Sequence, residues 1–416
     1  MNMLYSIAIA FYAVAIRVAA LFNEKAKLFV AGRKNWKSNL KAKIDPAAKY
    51  IWFHCASLGE FEQGRPVIEE IKEKFPEYKI ALTFFSPSGY EIRKNYALVD
   101  VVAYLPLDTK QNARTFVNLV NPEKVFFVKY EYWNNYINEL YSRSIPLYLI
   151  SAIFRKEQPF FSLTPWGKWY LKMLFKVEHL FVQTKVSGEL LESVGIKNYT
   201  VSGDTRFDRV AAIAAGAKEI PTIEKFKGSS LLLVAGSTWK PDEELLATFI
   251  NQSSGIKSII APHEVSAANV TRIKQSITKP VIEYSKVQES EIDNFDVIII
   301  DSIGLLSSLY RYGNVAYIGG GFGVGIHNIL EAATFGLPVV FGPNYKKFKE
   351  AVDLIDEGGA FKIYCQTSMN KVLHKLTEDE AHRRKVAEIS KDYVAKNVGS
   401  TAVIIKKVFN IEPKKG

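Results

Sequence analysis

Few residues in this chain are suited to soft-metal or thiol chemistry. It has 2 cysteines, 4 methionines and 6 histidines in 416 residues. Cys55 and Cys365 lie far apart and in no CxxC pair, which removes a zinc ribbon or a disulfide framework and fits a reducing compartment. Cys55 alone could be a nucleophile, but a small buried core residue suits its apolar surroundings better. No arginine-rich tract, zinc-finger spacing or RNP-type aromatic motif is present, so nucleic acid is not the expected partner. Short-period repeats and low-complexity tracts are also missing. The N-terminus lacks the lysine-rich start and small-residue cleavage site of a signal peptide.

What is present points to packed domains at a membrane. Hydrophobic residues make up 48% and charged residues 23%, ample for globular cores. The length suggests two domains of roughly 150–200 residues. A net charge of +11 calls for an anionic partner, either a phosphorylated substrate or a surface of anionic lipid. Met3 to Ile16 is an unbroken run of apolar residues, Ser and Tyr, followed by Arg17 and then Val18 to Phe22. The segment approaches the ~20 residues that span a bilayer, with Arg17 as its one interruption. Lys25, Lys27, Arg33, Lys34, Lys37, Lys41 and Lys43 follow, and such flanking charge stays on the cytoplasmic side. A spanning helix and an in-plane amphipathic helix with Arg17 reaching the headgroups both fit. Either one puts the protein on a membrane.

From residue 50 onward, short apolar strands alternate with helical stretches, the pattern of a parallel sheet covered on both faces. Tyr50–Ala56, Lys79–Phe85, Val101–Tyr104, Lys124–Val128, Leu147–Ile150 and His179–Val182 form a first series of strands. Ser230–Ala235, Ile256–Ile260, Val281–Tyr284, Val297–Ile300, Val315–Ile318 and Leu337–Phe341 form a second. Val201–Val210 reads as the crossing between them, and Glu378 to Phe409 reads as helix ending in a basic tail. Two doubly wound domains in tandem place ligands at the carboxyl ends of the strands, in a cleft between the domains. The expected divisions are an anchor with its basic flank over 1–34, an acceptor-side domain over 35–206, a donor-binding domain over 207–390, and a C-terminal helix with its tail over 391–416.

Several loops carry candidate chemistry. Gly319 to Gly325, with Gly320 and Gly321 inside it, follows a strand and is expected to run into a helix near Asn328, where backbone N–H groups meet phosphate. Asn328 and Glu331 could form a capping box, or Glu331 could accept hydrogen bonds from a ribose. Ser237 and Thr238 follow the first strand of this half, placed to cap the next helix and meet an anion. His263, after Pro262, is either a base contact or an exposed loop histidine. In the first half, Glu60 opens the helix after Ser57-Leu58-Gly59. It either complements the helix dipole or takes a proton from an acceptor hydroxyl.

Ser57-Leu58-Gly59-Glu60, Glu131-Tyr132-Trp133-Asn134-Asn135, Gly203-Asp204-Thr205-Arg206-Phe207-Asp208, Gly236-Ser237-Thr238 and the block Asp301–Pro343 occur in the order of one family. The most specific stretch is HNILEAATFGLPVVFGPNYKKF, residues 327–348. With these motifs the chain resembles the 3-deoxy-D-manno-octulosonic acid (Kdo) transferases of lipopolysaccharide synthesis over essentially its whole length. The resemblance implies an α/β, GT-B type fold of two Rossmann-like domains facing a cleft, plus an N-terminal membrane-anchor helix. It implies inverting transfer of Kdo from CMP-Kdo to a tetraacyl lipid A precursor (lipid IVA), without a metal or other cofactor, at the cytoplasmic face of the inner membrane. By motif position Glu60 matches the proton acceptor. Pro262 and His263, Ile303, Gly304 and Leu305, and Asn328, Ile329, Leu330 and Glu331 match CMP-contacting segments. Arg206 stands where lysine is usual and would hold the donor's carboxylate or phosphate. His263 stands where arginine is common, Leu305 where glutamate is, Trp239 where histidine is, and Asn134 where proline is, departures that bear on base and ribose recognition. A nucleotide-sugar epimerase of the same architecture and a non-catalytic nucleotide-binding protein at the membrane surface are the alternatives.

Overall fold

The computed structural model describes residues 1–411, so the basic tail at Lys414 and Lys415 lies outside the described residues. Two compact units are present: Met1–Arg209 together with the chain from Val398 onward, and Val210–Asn397.

The first unit is built on a seven-stranded parallel sheet of order β3-β2-β1-β4-β5-β6-β7. Its strands are β1 (Lys49–Cys55), β2 (Tyr78–Phe84), β3 (Val101–Tyr104), β4 (Pro122–Val128), β5 (Leu147–Ala152), β6 (His179–Val182) and β7 (Tyr199–Val201). Both faces of β1 are covered, so its sequence is apolar without alternation. Tyr50 and Trp52 enter one core with Phe116, Phe127 and Tyr136. Ile51, Phe53 and Cys55 enter the other with Phe61, Phe84 and Phe126. Cys55 is fully buried, and burial pushes its thiol well up, so it is a core residue.

The second unit repeats the plan with order β10-β11-β9-β8-β12-β13-β14. The strands are β8 (Leu231–Thr238), β9 (Ile256–Pro262), β10 (Val281–Glu283), β11 (Val297–Ile299), β12 (Val315–Ile318), β13 (Val339–Phe341) and β14 (Ala360–Lys362). The strand order reverses direction between β1 and β4 in one sheet and between β8 and β12 in the other. At such switch points the following helices diverge to opposite faces and leave the carboxyl ends of the strands open to a ligand.

Some expectations are corrected. The edge strands β7 and β14, each three residues long, were not anticipated. The stretch Glu378 to Phe409 is helical as two helices, Glu380–Asn397 and Ser400–Phe409, and a further helix, Gln366–Glu378, precedes it. Gly399, at φ +120°, breaks the last two apart. The final helix packs within the first unit, where Phe409 stacks on Phe75 at 4.0 Å. The crossing stretch Val201–Val210 begins at the last residue of β7 and includes the start of the helix Arg206–Ala215.

The N-terminal segment is a helix, Asn2–Ala19, long and apolar enough to cross a membrane by length and composition. One side of it is held by the first unit. The Tyr5 hydroxyl donates to Asp108 Oδ2 at 2.6 Å, Trp169 Nε1 donates to Asn2 Oδ1 at 2.8 Å, and the Tyr12 ring lies 6.1 Å from that of Phe29. Met3, Leu4, Ile7, Phe11, Val14 and Val18 are exposed.

Asp208 ties the chain's exit from the first unit to its return. Its carboxylate accepts from the backbone N–H groups of Gly399 at 2.6 Å and Thr401 at 2.7 Å, and from the Thr401 hydroxyl at 2.8 Å. Asp208→Ala is expected to cost about 1–3 kcal/mol, the penalty of leaving such donors unmatched. Amide exchange across Ser400–Phe409 should then accelerate ahead of the sheet. Unchanged protection there would contradict this role.

Candidate active site

In the first unit, the helix Leu58–Lys74 starts directly after β1, at the switch point. A helix start leaves backbone donors without intrahelical partners. Glu60 satisfies one of them: its Oε2 accepts from the Ser57 N–H at 2.7 Å and from the Ser57 hydroxyl at 3.0 Å. The capping reading of Glu60 is therefore present in the structure, and it does not exclude proton transfer, because the carboxylate stays only half-buried. Burial is the largest influence on its pKa and the Glu131 charge the next. Together they outweigh the Ser57 hydrogen bonds and Lys129, and the carboxyl lies above the usual glutamate range.

Beneath it is a polar cluster that the sequence reading did not assemble. His54, fully buried at the end of β1, meets Glu131 Oε2 through Nε2 at 2.9 Å and Thr83 Oγ1 through Nδ1 at 2.9 Å. Trp133 Nε1 donates to Glu131 Oε2 at 2.6 Å, and Trp52 Nε1 donates to Thr83 Oγ1 at 2.8 Å. A charge buried this deeply persists only when it is hydrogen-bonded. The available signal was a histidine inside an otherwise apolar strand and an acid directly after β4.

In the second unit, the expected segments gather at the carboxyl ends of adjacent strands: Ser237 and Thr238 end β8, Pro262 ends β9 with His263 next, Ile303–Leu305 follow β11, and the glycine loop follows β12. The His263 ring stacks on both Trp239, centroids 4.7 Å apart, and His327, 4.4 Å apart, whose own centroids lie 6.4 Å from each other. Trp239 Nε1 donates to His327 Nε2 at 3.0 Å, so the neutral His327 ring carries its proton on Nδ1. Burial first, and the neighbouring His263 second, lower the His327 pKa to about 4. A cavity of about 220 Å³ opens beside the stack, lined by Trp239, Pro241, Phe322 and Val324. Ile303 is 91% exposed on its loop, and Gly304 holds φ +96°.

Other candidates are placed differently from expectation. Thr238 is buried and donates its hydroxyl proton to Glu243 Oε1 at 2.9 Å, so that proton is already committed within the protein. Asp242 caps the next helix, accepting from the Trp239 N–H at 2.9 Å. The same carboxylate accepts from the Gly320 N–H at 2.9 Å, so that amide already has an anionic partner. Gly319 donates its N–H to the Gly236 carbonyl, and Gly323 donates its N–H to the Gly320 carbonyl. At Gly321 a Cβ would lie 2.6 Å from Gly342 Cα, so its lack of a side chain serves the close approach of two backbones. The helix after this loop is only Leu330–Ala333, too short to carry a substantial dipole. Asn328 stands just before its N-cap, Ile329, with Oδ1 accepting from the Leu330 N–H at 3.2 Å and Nδ2 donating to Glu331 Oε1 at 3.1 Å. Arg206, in the first unit, is engaged by Asp204 Oδ2 at 2.7 Å. Asp204 and Thr205 in turn hold Gln63 on the helix that starts near Glu60.

Two parallel seven-stranded sheets of this order define a fold of the GT-B type. Solved structures agree over most of the chain. A UDP-GlcNAc 2-epimerase from Neisseria meningitidis bound to UDP-GlcNAc superposes with TM-score 0.60 at 16% identity, covering 87% of this chain and 100% of that one. MurG from Acinetobacter baumannii does so with TM-score 0.55 at 10% identity, covering 87% and 100%. These likenesses show the fold alone. Residues 31–209 match the family model described as 3-deoxy-D-manno-octulosonic-acid transferase (kdotransferase). The 3-deoxy-D-manno-octulosonic acid transferase of Aquifex aeolicus is 28% identical over 338 residues, 79% of this chain and 85% of that protein. Further transferases of that description match at 22–26% identity over 82–90% of the chain once Haemophilus, Rickettsia and Chlamydia relatives are included.

The stacked rings make a spectroscopic prediction. The His327 imidazole should stay neutral, protonated on Nδ1, until the pH falls to about 4. Below pH ~6.5 an unfolded chain takes up this proton and the folded one does not, so this group's contribution to stability is lost as pH falls from ~6.5 towards 4. A ¹⁵N titration of the ring checks this, and a midpoint near 6.5 would contradict the buried stack.

Proposed function

We propose that the chain is an inverting transferase that moves Kdo from CMP-Kdo to lipid IVA, the lipid A precursor, and releases CMP. The observation that carries the reading is Glu60: a half-buried carboxylate at the switch point of the first sheet, in the family's motif position, with its pKa raised by burial and by Glu131. A raised pKa makes a carboxylate a stronger base towards a hydroxyl proton.

In this mechanism Glu60 takes the proton of an acceptor hydroxyl. That oxygen forms a bond to the anomeric carbon of Kdo on the face opposite CMP. The bond from that carbon to the phosphate oxygen breaks, and its electron pair leaves with CMP. The donor is held by the second unit's strand ends, with Pro262, His263, Ile303, Gly304, Leu305, Asn328, Ile329, Leu330 and Glu331 around the nucleotide. Ser237, at φ +53° beside the glycine loop, is nearest in role to a phosphate contact. No metal is invoked for the leaving group. The commitment of the Gly320 amide to Asp242, the burial of Thr238 and the pairing of Arg206 to Asp204 weaken those three as donor contacts.

The apolar helix supports a membrane setting. Its Tyr5 and Tyr12 side rests on the first unit while Met3, Leu4, Ile7, Phe11, Val14 and Val18 stay bare, an arrangement suited to lying in the interface. We place that surface at the cytoplasmic face of the inner membrane, where a diphosphorylated lipid and anionic headgroups would attract the chain's net charge of +11. A soluble epimerase of the same fold has no need of such a helix.

Glu60→Gln is expected to lower kcat by ~100- to 10,000-fold, the usual worth of a positioned general base, with KM for CMP-Kdo little changed. In the unsubstituted enzyme the acid limb of the pH–rate profile should lie above ~4.3, the value of an unperturbed glutamate. Near-normal turnover in the Gln variant would remove the base assignment.

A further inference from the structure

The second unit has a second, larger cavity beside the glycine loop, of about 710 Å³, a volume typical of small-ligand sites. Gly323, Val324, Asn344, Lys346, Lys347 and Tyr364 are among the residues that line it. Its wall is stiffly built. The Asn344 N–H donates to the Gly321 carbonyl at 2.9 Å, its side-chain Nδ2 donates to the Gly323 carbonyl at 2.7 Å, and Ile326 N–H returns a bond to the Asn344 carbonyl. Tyr345 is buried against Phe341, and its hydroxyl accepts from Lys362 Nζ at 3.3 Å. These bonds fix the backbone from which the next two side chains project.

The electrostatics are one-sided. No carboxylate lines the cavity, and neither Lys346 nor Lys347 has a carboxylate partner among the described residues. Lys349, two positions on, is paired with Asp353, so free ammonium groups are a property of the cavity and not of this stretch as a whole. Tyr364 adds an exposed ring and hydroxyl, chemistry that suits a polyhydroxylated sugar.

We propose that this cavity is the subsite for the anionic sugar of the donor, with Lys346 and Lys347 receiving its carboxylate and Asn344 and Tyr364 placed for its hydroxyls. This rests on the reading of the chain as a Kdo transferase and extends it. The assignment moves carboxylate recognition from Arg206, which Asp204 already engages, to a pair of lysines on a rigid wall next to the loop that follows β12. Exposed ammonium–carboxylate pairs are individually weak, so two together should change affinity on the order of tenfold.

The test uses the full chain in detergent micelles. Lys346→Ala/Lys347→Ala should raise KM for CMP-Kdo on the order of tenfold, leave inhibition by CMP and KM for lipid IVA unchanged, and be restored by Lys346→Arg/Lys347→Arg. A parallel arm measures binding of free Kdo to CMP-saturated protein, which the double Ala variant should lose. An unchanged donor KM overturns the proposal. So does a rise confined to the lipid KM, which would make the bound anion an acceptor phosphate, or an equal loss of CMP inhibition, which would make it the nucleotide phosphate. Wild-type protein that binds CMP and free Kdo but transfers nothing would sink the transferase reading and leave the subsite standing.

Discussion

Backbone donors at a helix start must find acceptors, and in both units this requirement falls at the point where the strand order reverses. After β1 the donor at Ser57 is met by Glu60, three residues into the helix. After β8 the donor at Trp239 is met by Asp242, again three residues on. The two carboxylates answer the same need and differ in what else surrounds them. Asp242 is fully buried and also accepts from the Tyr317 hydroxyl and the Gly320 N–H, so its oxygens are consumed in holding β8 and β12 together. Glu60 keeps part of its surface, and the nearby Glu131 charge opposes its ionisation. Asp242 is structural, whereas Glu60 is the one proposed as the base. Accepting a proton would weaken the Glu60 hydrogen bonds to Ser57, so the cap itself favours return of that proton.

Much of this frame was legible because strands covered on both faces write uninterrupted apolar runs. Each central strand was readable for that reason. The three-residue edge strands β7 and β14 were not, although β10, an edge strand just as short, was. The glycine loop was located correctly and interpreted too generously. Glycines at 319, 320 and 321 read as an approach to phosphate, yet Gly319 and Gly321 pack against backbone at residues 237 and 342, and Gly320 donates to Asp242. Spacing shows that a loop must pass close to something. Only geometry shows that the something is another loop.

Pairings between distant residues were the other blind spot. His54 and Glu131 are far apart in sequence and each looks ordinary alone; they meet because β1 and β4 are neighbours in the sheet. The same holds for Asp208 and Thr401, which join the two ends of the first unit. Trp239 and His263 stood out as departures from a familiar pattern, and the structure gives them a joint explanation, because both rings enter one stack with His327. Two substitutions that look independent in sequence are one change in shape.

The account stands on transfer of an acidic sugar to a lipid by a chain that holds its own base. The most direct measurement is mass spectrometry of lipid IVA after incubation with purified protein and CMP-Kdo. The expected result is a lipid heavier by one or more Kdo residues, with CMP released in equal number. Lipid of unchanged mass, from protein shown to be folded and to bind CMP, would contradict it.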